Sequence, residues 1–233
     1  MTISARIIGL LALPFAAVLV LTGCSGTDYG PPSRSADPNK DVGAAKLTFP
    51  IDMKPLVAPE EKYFGVALPG VPDAIQPLKT YASKVGKAPN LVKVYLAWDS
   101  AFDIKTMKSV WETGAVPWIE WETPQTSMRS IGAGQSDDYL REFALAVKQS
   151  NIPVAISYAH EFNGYWYAWG QVNTPGATAK TEKAATFDNV PGDLIRSWRH
   201  IVETFRSVDA DNVIWTWTPN ITNRATVKDV RLQ

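Results

Sequence analysis

His160 and Glu161 stand side by side in Ser157-Tyr158-Ala159-His160-Glu161-Phe162-Asn163-Gly164, and an aromatic run from Tyr165 to Trp169 follows at once. A carboxyl beside aromatic rings suits the protonation of a leaving oxygen, because desolvation raises its pKa and keeps the proton on towards neutrality. Cleavage of a glycosidic bond asks for such an acid and for a second carboxyl on the other side of the bond. Trp166 and Trp169 offer an apolar wall and flat faces on which the C–H side of a sugar can stack. A plainer role stays open for Glu161: a buried structural acid at a strand end, held by His160 or by a loop amide. His-Glu also opens the zincin pattern, which needs a further histidine three positions after the glutamate. That position is Gly164, and the one other histidine, His200, falls in a charged helix, so no metal and no cofactor are expected. Glu120 and Glu122 are two residues apart and share one face of a strand. They are read as supporting the site or binding sugar, and are nucleophile candidates by composition only.

The elements that must hold these residues alternate in type. Residues 63–68 read as a strand ending at Pro69-Gly70, 74–85 as a helix, 91–98 as a strand, and 103–113 as a helix closed by Gly114. Then come a strand at 116–121, a helix at 136–150 opened by Ser136-Asp137-Asp138, and a strand at 153–158. A helix at 193–208 and a strand at 212–217 complete the series. Such βα alternation implies a parallel sheet with right-handed crossovers. An open doubly wound sheet announces itself by a glycine-rich turn after the first strand, and Pro69-Gly70-Val71-Pro72 is not one. Polar and aromatic residues gather instead at the C-terminal strand ends, at Trp98-Asp99, Trp121-Glu122, His160-Glu161 and from Trp217 to Asn220. A (β/α)8 barrel builds its site in that way. The expected fold is therefore an α/β TIM barrel over residues 61–233. It is incomplete, because five strands are visible, 227–233 approach a sixth, and such a barrel takes about 250 residues.

The 233 residues carry 23 basic and 23 acidic side chains, without the basic excess that a nucleic-acid partner would require. All nine tryptophans lie between Trp98 and Trp217, to be divided between core packing and sugar platforms. The N-terminus reads differently. Arg6 precedes an apolar run from Ile7 to Leu21, too short for a comfortable transmembrane helix and suited to a secretory signal over residues 1–23. Leu21-Thr22-Gly23-Cys24 resembles the lipobox of bacterial lipoproteins, which makes Cys24, the only cysteine, the expected lipidation site. Residues 24–60 are rich in Gly, Pro, Ser, Asp and Lys and read as a flexible tether. The expected location is the cell envelope, extracytoplasmic, with acyl chains as the membrane hold.

His160-Glu161-Phe162-Asn163-Gly164, with Trp166 and Trp169-Gly170, resembles the acid/base motif of glycoside hydrolase family 26, the β-mannanase family. Pro117 to Glu122 is similar to that family's third strand. Trp198 to Val202, with Asp211 to Asn220, is similar to its fourth helix and fifth strand. The resemblance implies a (β/α)8 barrel, a retaining mechanism and a polysaccharide substrate: β-mannan, or in some members a β-glucan or β-1,3-xylan. It implies Glu161 as the acid/base and His160 as a sugar contact, against the alternative that His160 only positions Glu161. Trp166 and Trp169 would line the cleft, with Asn163 and Trp217 as further substrate-binding residues. The family's nucleophile is a glutamate on strand seven, beyond the strands visible here. A lipid-anchored carbohydrate-binding protein, an inactive truncated hydrolase and an envelope-structure protein are the competing readings.

Overall fold

Five parallel strands form one sheet whose spatial order follows chain order. They are β1 (Gly65–Val66), β2 (Leu91–Ala97), β3 (Val116–Glu122), β4 (Val154–Tyr158) and β5 (Val213–Trp215). The crossovers run through α2 (Gln76–Val85), α3 (Ile104–Trp111), α5 (Asp137–Ser150) and α6 (Pro191–Ser207). The computed structural model describes residues 52–60, 62–164, 166–170 and 190–221. The signal segment, Cys24, the tether up to residue 51 and the anticipated sixth strand lie outside the described residues. A doubly wound sheet reverses its strand order at a switch point. Here β2 pairs with β3 from Leu91↔Val116 to Ala97↔Glu122, β3 with β4, and β4 with β5, with no reversal among the described strands. That is the winding of a (β/α)8 barrel, of which five strands are described.

Side chains alternate between the two faces of each strand. One face carries Val92, Val94, Ile119, Trp121, Ile156 and Tyr158, all buried. They pack beneath helix residues such as Met107 and Trp111 of α3, Phe143 of α5, and Ile201 and Phe205 of α6. The Trp121 ring lies 4.3 Å from Phe143 and 4.6 Å from Trp98, stacked on both. The other face is the barrel interior. At its N-terminal end Leu91, Val116, Trp118, Ala155, Ile214 and Thr216 line an apolar cavity together with Leu56 and Tyr63. Leu56 belongs to a single helical turn, α1 (Lys54–Val57), and is 2% exposed. The Tyr63 hydroxyl donates to its carbonyl at 2.7 Å. Packing against the barrel thus begins within the stretch that composition reads as tether.

One further helix, α4 (Met128–Gly132), interrupts the β3–α5 connection. Ser127 caps it, its hydroxyl accepting from the Ser130 N–H at 3.1 Å. Arg129 of α4 reaches Asp193 of α6 at 3.1 Å, and Asp193 also pairs with Arg196. A Cβ on Gly132 would meet the Ser197 backbone nitrogen at 3.0 Å, so this glycine permits the close approach of α4 to α6. Ser136 precedes α5 without a side-chain capping bond, and Asp137 of its first turn pairs with His200 of α6 instead.

Candidate active site

The carboxyl end of β4 is held in an uncommon backbone conformation. Ala159 has φ 53° and Glu161 φ 51°, both left-handed, and Asp99 at the end of β2 has φ 69°. Each such residue costs about 1–3 kcal/mol and persists only where its surroundings enforce it. The surroundings do so here. The Ala159 N–H donates to the Trp121 carbonyl at 3.0 Å and the Glu161 N–H to the Thr218 carbonyl at 2.7 Å. The Ser157 and Thr218 hydroxyls bond to each other. The result turns His160 and Glu161 out of the strand direction at the C-terminal mouth, where a barrel keeps its chemistry.

Glu161 is half-buried, and its Oε2 accepts a hydrogen bond from the Trp166 indole N–H at 2.8 Å. Gly164 makes this contact possible. A Cβ there would lie 2.4 Å from the Trp166 ring. His160 is 8% exposed. Its ring stands edge-on to Tyr167 at 4.8 Å, Trp169 at 5.4 Å and Tyr95 at 6.2 Å. Its Nδ1 lies 3.4 Å from Glu120 Oε2, and its Nε2 lies 4.0 Å from Glu122 Oε1. Glu120 is 1% exposed and pairs through Oε1 with Lys93 Nζ at 2.7 Å. Burial holds His160 below the usual histidine range, against the opposing charges of Glu120 and Glu161. Burial pushes Glu122 above the usual carboxyl range, and the neighbouring Glu120 charge adds to this.

Three further expected site residues, Asn163, Trp169 and Trp217, are placed as follows. Asn163 is 1% exposed, and its amide exchanges two hydrogen bonds with the backbone of Asn220, at 2.9 and 2.8 Å. It clamps the β4 and β5 loops together. Trp169 is 3% exposed, donates to the His160 carbonyl at 2.7 Å and stacks on Tyr167 at 4.4 Å. It backs the site, and Tyr167 is the more open ring of the pair. Trp217 packs against Phe162 at 4.4 Å and Trp198 of α6 at 4.9 Å. The alternation along this segment explains it: Thr216 and Thr218 reach Trp118 and Ser157 in the interior, so Trp217 faces the helices.

Lys93, Tyr95 and Tyr167 belong to the site and are not flagged by motif. Lys93 does leave a trace in the sequence. It is a charge at an interior position of an otherwise apolar strand, which calls for a buried partner. Among the described residues no three His, Cys, Asp or Glu side chains are placed to hold a metal ion.

A histidine, several carboxyls and aromatic rings thus gather at the C-terminal mouth of a parallel barrel sheet, the place where such barrels keep their active sites. Residues 82–229 match the family model described as "Glycosyl hydrolase family 26", and the chain belongs to that family. It is 26% identical over 148 residues to Endoglucanase H of Acetivibrio thermocellus, a match covering 63% of this chain and 15% of that protein. Among solved structures, a GH26 β-mannanase from Bacteroides ovatus superposes with TM-score 0.42 and 14% identity, over 59% of this chain and 46% of that one. The GH26 domain of an endo-β-mannanase/endo-β-glucanase from Prevotella bryantii gives TM-score 0.47 and 12% identity, over 70% and 59%. The chain thus spans only part of the length of each of these relatives.

Proposed function

We propose that this chain supplies the acid/base side of a retaining, endo-acting β-glycan hydrolase, with Glu161 as acid/base and β-mannan as substrate. The observation that carries the reading is the setting of Glu161. A strained backbone at the mouth of the barrel aims the side chain, and Trp166 holds one carboxyl oxygen. In the first step Glu161 donates its proton to the glycosidic oxygen as the bond to the anomeric carbon breaks and a carboxylate nucleophile bonds to that carbon. In the second, Glu161 as carboxylate takes a proton from the water that displaces the nucleophile. Glu120 is not assigned the nucleophile role, since it is buried and committed to Lys93 and His160. The similarity of the Glu161 motif to that of β-mannanases supports β-mannan, and the kinship to an endoglucanase makes β-glucan the alternative.

The test is Glu161→Gln in the intact protein. The amide keeps the shape and cannot donate an acidic proton. Loss of general acid catalysis is expected to cost about 10²–10⁴-fold in kcat on unactivated polysaccharide, with oligosaccharide affinity and melting temperature retained. Activity within about threefold of the parent removes Glu161 from the acid role. For the location, we propose lipid attachment at Cys24 and residence in the cell envelope, on the strength of the apolar run and Leu21-Thr22-Gly23-Cys24. Cys24→Ser is expected to move the protein from the membrane to the soluble fraction, and unchanged fractionation would refute the anchor.

A further inference from the structure

We propose that Glu120, clamped by Lys93, is a positioning residue that fixes the tautomer of His160, with the proton on Nδ1 and the lone pair of Nε2 presented to the cleft. For its part in catalysis this rests on the function proposed above.

The geometry runs through three strands. Lys93 Nζ lies 2.7 Å from Glu120 Oε1 and 4.3 Å from the centroid of the Trp118 ring, so the ammonium is held by a charge and an aromatic face together. This occupies one oxygen of Glu120 and leaves Oε2 facing His160 Nδ1 at 3.4 Å. Those two atoms, Glu120 Oε2 and His160 Nδ1, are both buried and without any other hydrogen-bond partner. Leaving each unpaired would cost about 1–3 kcal/mol. A closure of a few tenths of an ångström with a small turn of the ring makes this an ordinary N–H···O bond. An ion-paired carboxylate can only accept, so Nδ1 must carry the hydrogen. A neutral imidazole has a single N–H, and Nε2 is then an acceptor. Burial of His160 acts in the same direction by disfavouring the doubly protonated ring.

The groups that face His160 are Lys93 and Tyr95 from β2, Glu120 and Glu122 from β3, and Glu161 and Tyr167 after β4. Nε2 is 4.0 Å from Glu122 Oε1, too long for a direct hydrogen bond, which leaves its lone pair open towards the cleft. A substrate hydroxyl would donate to Nε2 there. Were the proton on Nε2, the ring would offer that hydroxyl a donor in place of an acceptor.

The chain has two histidines, which makes the tautomer directly readable. Imidazole-¹⁵N-labelled intact protein, with His200 assigned through His200→Gln, is expected to show His160 protonated on Nδ1 and bare on Nε2 at neutral pH. Lys93→Met with Glu120→Leu removes both halves of the ion pair and leaves no lone charge behind. It is expected to lose the Nδ1–H pattern and to lower kcat/KM about tenfold or more, the scale of an orienting partner. Glu120→Gln has a single oxygen, which the Lys93 ammonium takes, so its NH2 faces Nδ1 and the hydrogen is expected to move to Nε2. A wild-type His160 protonated on Nε2 or on both nitrogens overturns the proposal, and that result needs no variant to fold. So does an unchanged tautomer, or unchanged kcat/KM, in the double variant. The spectrum is taken without substrate, so a failure of Glu161 as acid leaves it untouched and the two readings fall separately.

Discussion

Along β3, Ile119 and Trp121 point to the helices while Trp118, Glu120 and Glu122 point into the barrel. On the helix side, Trp121 is fully buried between Trp98 and Phe143, and every partner is apolar or aromatic. On the interior side, a lysine, two glutamates and a histidine share partly buried space. Aromatic burial of the first kind is the main source of stability in a domain, whereas a buried ion pair returns little net stability after desolvation. Stability and chemistry are therefore separated by a single residue step. The tryptophans follow the same division. Trp98, Trp111, Trp121, Trp198, Trp215 and Trp217 pack in the helix layer, and Trp118, Trp166 and Trp169 stand on the site side. The unusual tryptophan content is thus mostly a feature of the core.

The largest effect that separates the faces is Trp121→Ala. Truncating a fully buried tryptophan costs about 3–5 kcal/mol, and a domain of this size loses about 2–4 °C in Tm per kcal/mol. A drop of roughly 6–20 °C is expected in thermal melts, with unchanged oligosaccharide affinity for the protein that remains folded. Trp217→Ala is expected to behave in kind, at a fraction of the cost because it is only half-buried. A Trp217 variant with normal Tm and weakened sugar binding would move this residue back into the cleft and blur the division.

A smaller effect is expected from Gly164→Ala. The added Cβ would lie 2.4 Å from the Trp166 ring, so the indole must shift. Overpacking of this kind costs about 1–3 kcal/mol. The hydrogen bond to Glu161 goes with it, and such a bond is worth about 0.5–1.5 kcal/mol net. Activity is expected to fall by up to about tenfold, and Trp166→Phe, which keeps Gly164 and removes only the indole donor, should reproduce the loss. Full activity in Gly164→Ala would show that Trp166 does not set Glu161.

The strand-and-helix alternation was readable because each strand is apolar on its helix side and each helix is amphipathic. β2 begins at Leu91, α3 is capped by Asp103, and β4 covers Val154–Tyr158, close to where the residue pattern puts them. Glu161, Gly164 and Trp166 lie within six residues, so their adjacency is legible, but the indole bond to the carboxyl and the need for glycine at 164 are not. Less legible were α4, five residues long and followed by small residues, and the pairing of Lys93 with Glu120 across two strands. Trp217 shows the limit most directly. A motif places it at a strand end, yet whether it faces sugar or helix depends on register, and one residue decides the face.

The smallest effect tests the interior face by pH. Burial first, and the Glu120 charge second, raise the Glu122 pKa in the folded protein. A carboxyl whose folded pKa lies above its unfolded value contributes stability that is fully present below the unfolded pKa and lost as pH rises through the folded one. Glu122→Gln cannot ionise and escapes that loss. The stability of the variant relative to the parent should therefore grow between about pH 4 and pH 7. His160 pulls the other way, since its folded pKa is lowered and its contribution is lost as pH falls. Comparing parent and variant at each pH leaves the Glu122 part. Urea midpoints at the two ends of the range read it, provided the m-value stays constant. A difference that shrinks with rising pH would mean that Glu122 is stabilised as a carboxylate. It would then pair with a protonated His160, which would also remove the acceptor assigned to Nε2 and leave the interior face a conventional ion-pair network.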